Sequence, residues 1–194
     1  MKCEFLFTKW RKGESMMKES NHLRLMHPSI AYEEDILSYR EEFLKSKETM
    51  AGCGNLENME SIDEWIDRNE KDMKKETLTP GHVTADLFLA IRNTDNKVVG
   101  MINFRHELSE RLLRFGGNIG FSIRPSEQNQ GLAKEMLRLC LEKCREKGLT
   151  QVLITCKTTN PRSRKVIQAL GGIHQDTTYF EPELAFIERY WIRL

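Results

Sequence analysis

No apolar run in this chain approaches the roughly 18 residues that a membrane-crossing helix needs, so a helical membrane span is not expected. Charge of one sign is also missing. Lys+Arg number 30 and Asp+Glu 29, and no net field draws the molecule to nucleic acid or to a membrane surface. The basic stretches lack the interleaved aromatics that base stacking requires. None of the five cysteines forms a Cys-x-x-Cys pair. Their odd number and spacing point to core thiols, with Cys140 and Cys144 on an apolar helix face and Cys156 in an apolar strand, rather than to zinc ligands or disulfides. No metal is expected, and a reducing cytoplasm is the expected compartment. Internal repeats and low-complexity tracts are absent. Phe5-Leu6-Phe7 after Lys2 is too short for a signal sequence, and no small-residue cleavage site follows. The two common phosphate loops are missing as well. Gly131 is followed by Leu132, Ala133 and Lys134 rather than Lys-Ser/Thr, and its turn has one glycine where a dinucleotide fingerprint needs three.

What is present is 194 residues, 30% charged and 39% hydrophobic, a length that suits one α/β domain with a full core. Residues 1–22 read as an N-terminal extension. Lys12-Gly13-Glu14 would be encoded by purine-rich codons just upstream of Met16 and Met17, as a bacterial ribosome-binding site would be, and this suggests a native start at one of those methionines. Residues 23–194 read as a single domain. Leu23–Met26 is a short strand stopped by Pro28, and Tyr32–Lys47 is helical, with Ile36, Leu37, Tyr39, Phe43 and Leu44 at helix spacing. After a turn with Gly52 and Gly54, Ser61 and Glu64 form a capping box for a helix to about Glu76, with Ile62, Trp65, Ile66 and Met73 inward. Ala85–Arg92 and Lys97–His106 form a hairpin across Asn93–Asn96, and Gly116-Gly117 introduces a strand over Asn118–Arg124. Gly131–Lys147 is the strongest helix, with Gly148 just past its end. Gln151–Cys156 is an apolar strand. Asn160 caps a helix that begins at Pro161 and runs to Leu170. Ile173–Thr177 and Leu184–Ile192 close the chain as strands.

The most informative stretch is the strand that enters the polar turn Arg124–Gly131 at the mouth of a helix. Unpaired helix N–H groups and the helix dipole make such a turn a phosphate cradle. Its Gln128-x-x-Gly131-x-Ala133 pattern, between strand and helix, resembles the acyl-CoA pyrophosphate loop of the GNAT superfamily of N-acetyltransferases. The likeness covers about residues 23–194. It is close to a bacterial branch of predicted acetyltransferases showing Arg-His-x-Leu (Arg105 to Leu108), Gly-Gly-x-Ile-Gly-aromatic (Gly116 to Phe121) and Arg-Pro-Ser-Glu (Arg124 to Glu127). That branch also shows Asn-x-x-Ser (Asn160 to Ser163) and Arg-Tyr-Trp-Ile (Arg189 to Ile192). The resemblance implies an α/β (α+β) GNAT fold: a mixed central sheet of about seven strands, two central strands splayed apart, and about four flanking helices.

It further implies acetyl-CoA as co-substrate and a primary amine as acceptor. Phe121, Ser122 and Ile123 would lie beside pantetheine, with a backbone N–H near Ile123 facing the developing oxyanion. Gln128, Asn129, Gln130, Gly131, Leu132 and Ala133 would hold the pyrophosphate, and Asn160 would contact the cofactor. Where many relatives have a tyrosine acid, this chain has Ile167, so Ser163 becomes the candidate acid, as in ribosomal-protein alanine acetyltransferases. Where a carboxylate base often stands, this chain has Asn118, and His106 or Glu107 are substitutes, His106 being favoured by its ordinary pKa. A water chain is an equal alternative. Residues 31–76 hold 14 acidic against 7 basic residues, and residues 120–170 hold 10 basic against 4 acidic. The basic half suits CoA phosphates, where Arg162, Arg164 and Lys165 could reach the 3′-phosphate, and the acidic half suits a cationic small-molecule or peptide amine. The terminal Arg189–Ile192 run fits a core strand or a homodimer interface. The alternative to an enzyme is an acyl-CoA-binding module without turnover, which Asn118 and Ile167 would suit.

Overall fold

The computed structural model describes residues 22–78 and 80–194. The expected start at Met16 or Met17 lies outside the described residues. The order is β1 (Leu23–Met26), α1 (Glu33–Ser46), α2 (Ile62–Asp72), β2 (Ala85–Arg92), β3 (Val98–Arg105) and β4 (Ile119–Ile123). There follow α3 (Leu132–Glu146), β5 (Gln151–Lys157), α4 (Pro161–Ala169), β6 (Ile173–Phe180) and β7 (Ala185–Arg193). The strands form one seven-stranded sheet in the order β1-β2-β3-β4-β5-β7-β6. Every neighbouring pair is antiparallel except β4 and β5, which run parallel and meet at one rung, Ile119 opposite Ile154.

The splay has a local cause. Gly117 sits at φ +65°, and a β-carbon there would lie 2.5 Å from Leu153 O, so only glycine lets the chain approach β5 so closely. Asn118 then binds both neighbours. Its N donates to Leu153 O at 2.7 Å, its Oδ1 accepts from Leu153 N at 2.8 Å, and its Nδ2 donates to Arg105 O at 3.1 Å. Past this pin β4 continues along β3 and β5 along β7, and the two diverge.

A core lies on each face of the sheet. On one, α3 buries Leu132, Met136, Leu137, Cys140, Leu141 and Cys144. It ends where Leu149 N reaches Cys144 O and Gly148 N reaches Arg145 O, a Schellman pair that needs the left-handed glycine at 148. On the other face α1 and α2 bury Ile36, Tyr39, Phe43, Ile62 and Trp65. Leu37 and Leu44, counted in the α1 pattern from sequence, are 36% and 46% exposed, because the buried stripe of this helix is narrower than its apolar content. Ser61 Oγ accepts from Glu64 N as expected. Yet α2 stops at Asp72, short of Glu76, where Thr77 Oγ1 donates to Lys71 O and the chain enters a short 3₁₀ turn at Lys75–Thr77. β6 runs on to Phe180, past the expected end at Thr177. It is an edge strand with largely exposed faces, so no hydrophobic alternation marks its length. In β7, Tyr190 and Ile192 are buried in the core while Arg189 pairs with Asp176 on the other side.

Candidate active site

Backbone groups along a strand address its two neighbours alternately. Asn118 O accepts from Arg105 N, and Arg124 N donates to Val99 O, so the even-numbered residues of this strand address β3. Ile119, Phe121 and Ile123 therefore address β5. Only Ile119 meets it, which leaves the amide edges of Phe121 and Ile123 in a wedge between the strands. Such an edge accepts an extended chain laid along it. Ser122, expected beside them, is placed otherwise. Its backbone faces β3, and its Oγ donates to Ala51 O at 2.6 Å while touching Tyr39 Oη at 3.0 Å and Cys53 Sγ at 3.2 Å. Burial pushes the Cys53 thiol up to about 12, so it is a neutral packing group.

The wedge opens onto the polar turn. Asn129 takes φ +63° and Gly131 φ +81° at the start of α3. The first helix bonds run from Lys134 and Glu135 to Gly131 O, so the N–H groups of Leu132 and Ala133 precede the ladder and point out of the helix end. A β-carbon built on Gly131 meets no atom within 4 Å, so the space over these amides is open. Gln128 Nε2 donates to Ile123 O at 3.2 Å and to Glu48 Oε2 at 2.8 Å, and Gln130 Nε2 donates to Glu127 Oε2 at 3.4 Å.

The Arg-Pro-Ser-Glu motif is the base of this turn. Arg124, 2% exposed, donates through Nε to Val98 O at 3.0 Å, through Nη1 to Glu42 Oε1 at 3.0 Å and through Nη2 to Asp35 Oδ1 at 2.5 Å, tying α1 to the end of β4. Ser126 N donates to Glu42 Oε2 at 3.2 Å. Glu127 accepts from Arg92 at 2.7 Å and Lys97 at 2.8 Å, and these cations hold its carboxyl below the ordinary value.

The start of α4 arrives at the same mouth. Asn160 Oδ1 accepts from Ser163 N at 3.0 Å, and Arg162 Nη1 reaches Gln128 Oε1 across the wedge. Two helix N-termini thus flank the opening, and Ser163 is half-buried in the first turn of α4. Arg164, grouped from sequence with Arg162 and Lys165, is turned away to Glu188 at 2.7 Å and Thr158 O at 2.8 Å.

His106 is not brought to this group. Its Nε2 lies 2.8 Å from Asp86 Oδ2, its ring packs on Phe104, and Lys147 approaches the same Asp86 oxygen at 3.6 Å. Lys147 follows the C-terminal end of α3, and the 15 residues of that helix span about 22 Å, so His106 and the turn at Gly131 sit at opposite ends. Burial raises the Asp86 pKa, but the hydrogen bond and charge of His106 outweigh it and leave the carboxyl below its ordinary value. Glu107 is exposed. Asn118 is committed to its two strands, as described.

One feature of the site was legible only as a glycine-rich turn. The Ala51–Cys53 segment lies directly on β4: a β-carbon on Gly52 would fall 2.1 Å from Gly120 O. With φ +74° as well, glycine is required there twice over. Trp65 Nε1 donates to Cys53 O at 3.0 Å and holds the segment in place.

An open strand edge leading to two helix N-termini fits the extended arm and pyrophosphate of an acyl-CoA. The family model described as acetyltransferase (GNAT) domain matches residues 23–173. No curated protein matches the sequence. Among solved structures, the microcin C7 self-immunity acetyltransferase MccE, in complex with acetyl-CoA and AMP, superposes with a TM-score of 0.64 at 15% identity, covering 90% of this chain and 94% of that one. A Salmonella typhimurium acetyltransferase that modifies the N-terminal serine of a 50S ribosomal subunit protein gives 0.63 at 16% identity, covering 90% and 96%. A chimera of spermidine N-acetyltransferase SpeG from Vibrio cholerae and hSSAT gives 0.60 at 13% identity, covering 89% and 95%. The family match spans most of the chain, and the seven-stranded fold is that of the solved acetyltransferases: the chain belongs to the GNAT family of acetyltransferases.

Proposed function

We propose that the protein transfers an acetyl group from acetyl-CoA to the primary amine of an acceptor, with both substrates bound together. The observation that carries this reading is the single rung joining β4 to β5, which leaves the Phe121 and Ile123 amides facing a wedge that ends at the α3 and α4 N-termini. Structures of similar fold hold acetyl-CoA. Bound acetyl-CoA supplies an activated thioester on an extended arm. The Phe121 and Ile123 backbone pairs with that arm, and the N–H near Ile123 stabilises negative charge growing on the carbonyl oxygen. The N–H groups of Leu132 and Ala133 take the pyrophosphate, on a turn shaped by Gln128, Asn129, Gln130 and Gly131. Asn160 fixes the first turn of α4, and Ser163 gives a proton to the departing sulfur. The amine nitrogen bonds to the acetyl carbon as the carbon–sulfur bond breaks, one proton leaving nitrogen and one reaching sulfur. His106 is turned to Asp86 and packs on Phe104 on the α3 face of the sheet, and is not assigned that step. Proximity and a water path from the amine serve instead. The four described cysteines are buried free thiols, in keeping with a cytoplasmic enzyme.

Acetyl-CoA at about 100 times Kd should stabilise the fold by roughly 2.7 kcal/mol, a rise in Tm of about 5–10 °C for a domain of this size. Absence of any shift at millimolar acetyl-CoA would sink the assignment. A panel of amines with free CoA as readout then tests transfer. A second reading, binding without turnover, is favoured by the buried Asn118 amide and the apolar Ile167, and stabilisation without CoA release on any amine would select it.

A further inference from the structure

Arg105 opens the Arg-His-x-Leu motif and has no part in the steps above. Side chains alternate along a strand. Phe104 and His106 face α3, whereas Asn103 and Arg105 face the side covered by α1, α2 and the Gly52 segment. Arg105 Nη1 donates to Gly116 O at 3.3 Å and Gly117 O at 3.1 Å. No carboxylate pairs with it among the described residues, and its Nε and Nη2 donors are neither partnered there nor fully sealed from solvent. Burial, with the nearby Arg111 charge, lowers its pKa, but a guanidinium keeps its proton in proteins. It is a fixed positive charge without a counter-ion.

Its position matters. A β-carbon built on Gly120 would stand 3.7 Å from Arg105 Nη2 on one side and 3.4 Å from Gly52 on the other. Gly120 directly precedes Phe121, whose amide edge faces the wedge. Arg105 and the Gly52 segment therefore flank the approach to that edge from the α1–α2 face. Asn103 is the rung partner of Gly120, and its Oδ1 is the one buried side-chain polar atom without a hydrogen-bond partner among the described residues. The remaining Arg105 donors and the buried Asn103 Oδ1 stand on the same face, two residues apart. Of the acidic surplus of residues 31–76, Asp35 and Glu42 are engaged by Arg124 from outside that segment, and none of these carboxylates pairs with Arg105 among the described residues.

From this we infer that the acceptor is a small amine that also carries a carboxylate, of the amino-acid type, with its carboxylate bound by Arg105 and its amine presented to the thioester in the wedge beside Phe121. Guanidinium–carboxylate pairing is strong and directional. The inference rests on the acetyl-transfer reading and narrows its substrate class. The test titrates the protein–CoA complex calorimetrically with the common amino acids, each against its decarboxylated twin (ornithine with putrescine, lysine with cadaverine, tyrosine with tyramine), and with phosphoethanolamine against ethanolamine. At least one carboxylated member should bind tenfold or more tightly than its twin, and the same member should be the better acceptor when acetyl-CoA replaces CoA. Arg105→Met should abolish the preference and Arg105→Lys should keep part of it, with the acetyl-CoA thermal shift retained in both. Equal affinity across all pairs, binding by neither member of any pair, preference for phosphoethanolamine alone, or a preference that survives Arg105→Met would each overturn the inference. If Arg105→Met does not fold, the wild-type comparison decides. Loss of the acetyl-CoA shift in the wild type would refute the transferase reading, whereas a working enzyme blind to carboxylates refutes only the acceptor class.

Discussion

Asn118 occupies the place where a catalytic carboxylate is common in similar proteins, and its amide does something a carboxylate cannot. It donates to Arg105 O and accepts from Leu153 N at once. Asn118→Asp would set a carboxylate oxygen against a carbonyl in a site 3% exposed. The expected cost is about 2–3 kcal/mol, or roughly 4–12 °C in Tm by calorimetry, with no gain in kcat. A faster enzyme would show that a base had been restored. Gly131→Val meets open space in the protein but must hold φ +81°. It should cost about 1–2 kcal/mol and remove the acetyl-CoA thermal shift, because the new side chain sits where phosphate oxygens approach. Normal acetyl-CoA affinity in a folded Gly131→Val would move the pyrophosphate elsewhere. Ser163→Ala should lower kcat by about 10- to 1000-fold and leave acetyl-CoA affinity nearly unchanged, since a proton donor acts only in the transition state. Unchanged turnover on a confirmed acceptor would remove Ser163 from the mechanism.

Between elements, the decisive contact is the Ala51–Cys53 segment on β4. It joins the α1–α2 layer to β4, whose edge towards β5 is open past Ile119. Gly52→Ala would drive a β-carbon to 2.1 Å from Gly120 O, and backbone meets backbone there, so nothing flexible can yield. The segment should lift, at a cost of about 1–3 kcal/mol. The acceptor side should suffer while the cofactor side does not: KM for the amine should rise several-fold with the acetyl-CoA shift preserved. A rise in the acetyl-CoA Kd instead would place this segment on the cofactor side. Ser122 belongs to the same contact, and its hydroxyl, bonded to Ala51 O, Tyr39 and Cys53, anchors the segment rather than lining the wedge.

Across the whole molecule, the layers are joined by carboxylates with depressed pKa values. Arg92 and Lys97 hold Glu127 down; burial raises Glu42, but hydrogen bonds from Ser126 and Arg124 outweigh it; His106 does the same for the buried Asp86. A carboxyl whose folded pKa lies below its unfolded value, near 4, stabilises the fold above that value and loses this contribution as pH falls towards the folded one. Tm should therefore be nearly level from pH 5 to 7 and decline below about pH 4. Glu127→Gln should lower Tm at neutral pH and flatten the acid decline. A decline that is unaltered in Glu127→Gln would mean that the Arg92–Lys97–Glu127 cluster adds nothing to acid sensitivity.

Features set by near neighbours in the chain could be read directly. The Ser61–Glu64 and Asn160–Ser163 caps, the Gly148 terminator, the α3 stripe and the Gln128-x-x-Gly131-x-Ala133 turn depend on backbone geometry within a few residues, and local residue types specify that geometry. The order of strands and helices followed from the same signals. What depended on partners far along the chain could not be read. Asp86 claims His106 from 20 residues away, Ala51 claims Ser122 from 71, and Asp35 claims Arg124 from 89. The parity that turns Phe121 and Ile123 to the wedge but Ser122 to β3 is a register, fixed by which strand pairs with which. The uncompensated charge of Arg105 is likewise invisible in a sequence with as many acids as bases, because only the packed sheet decides which of them meet.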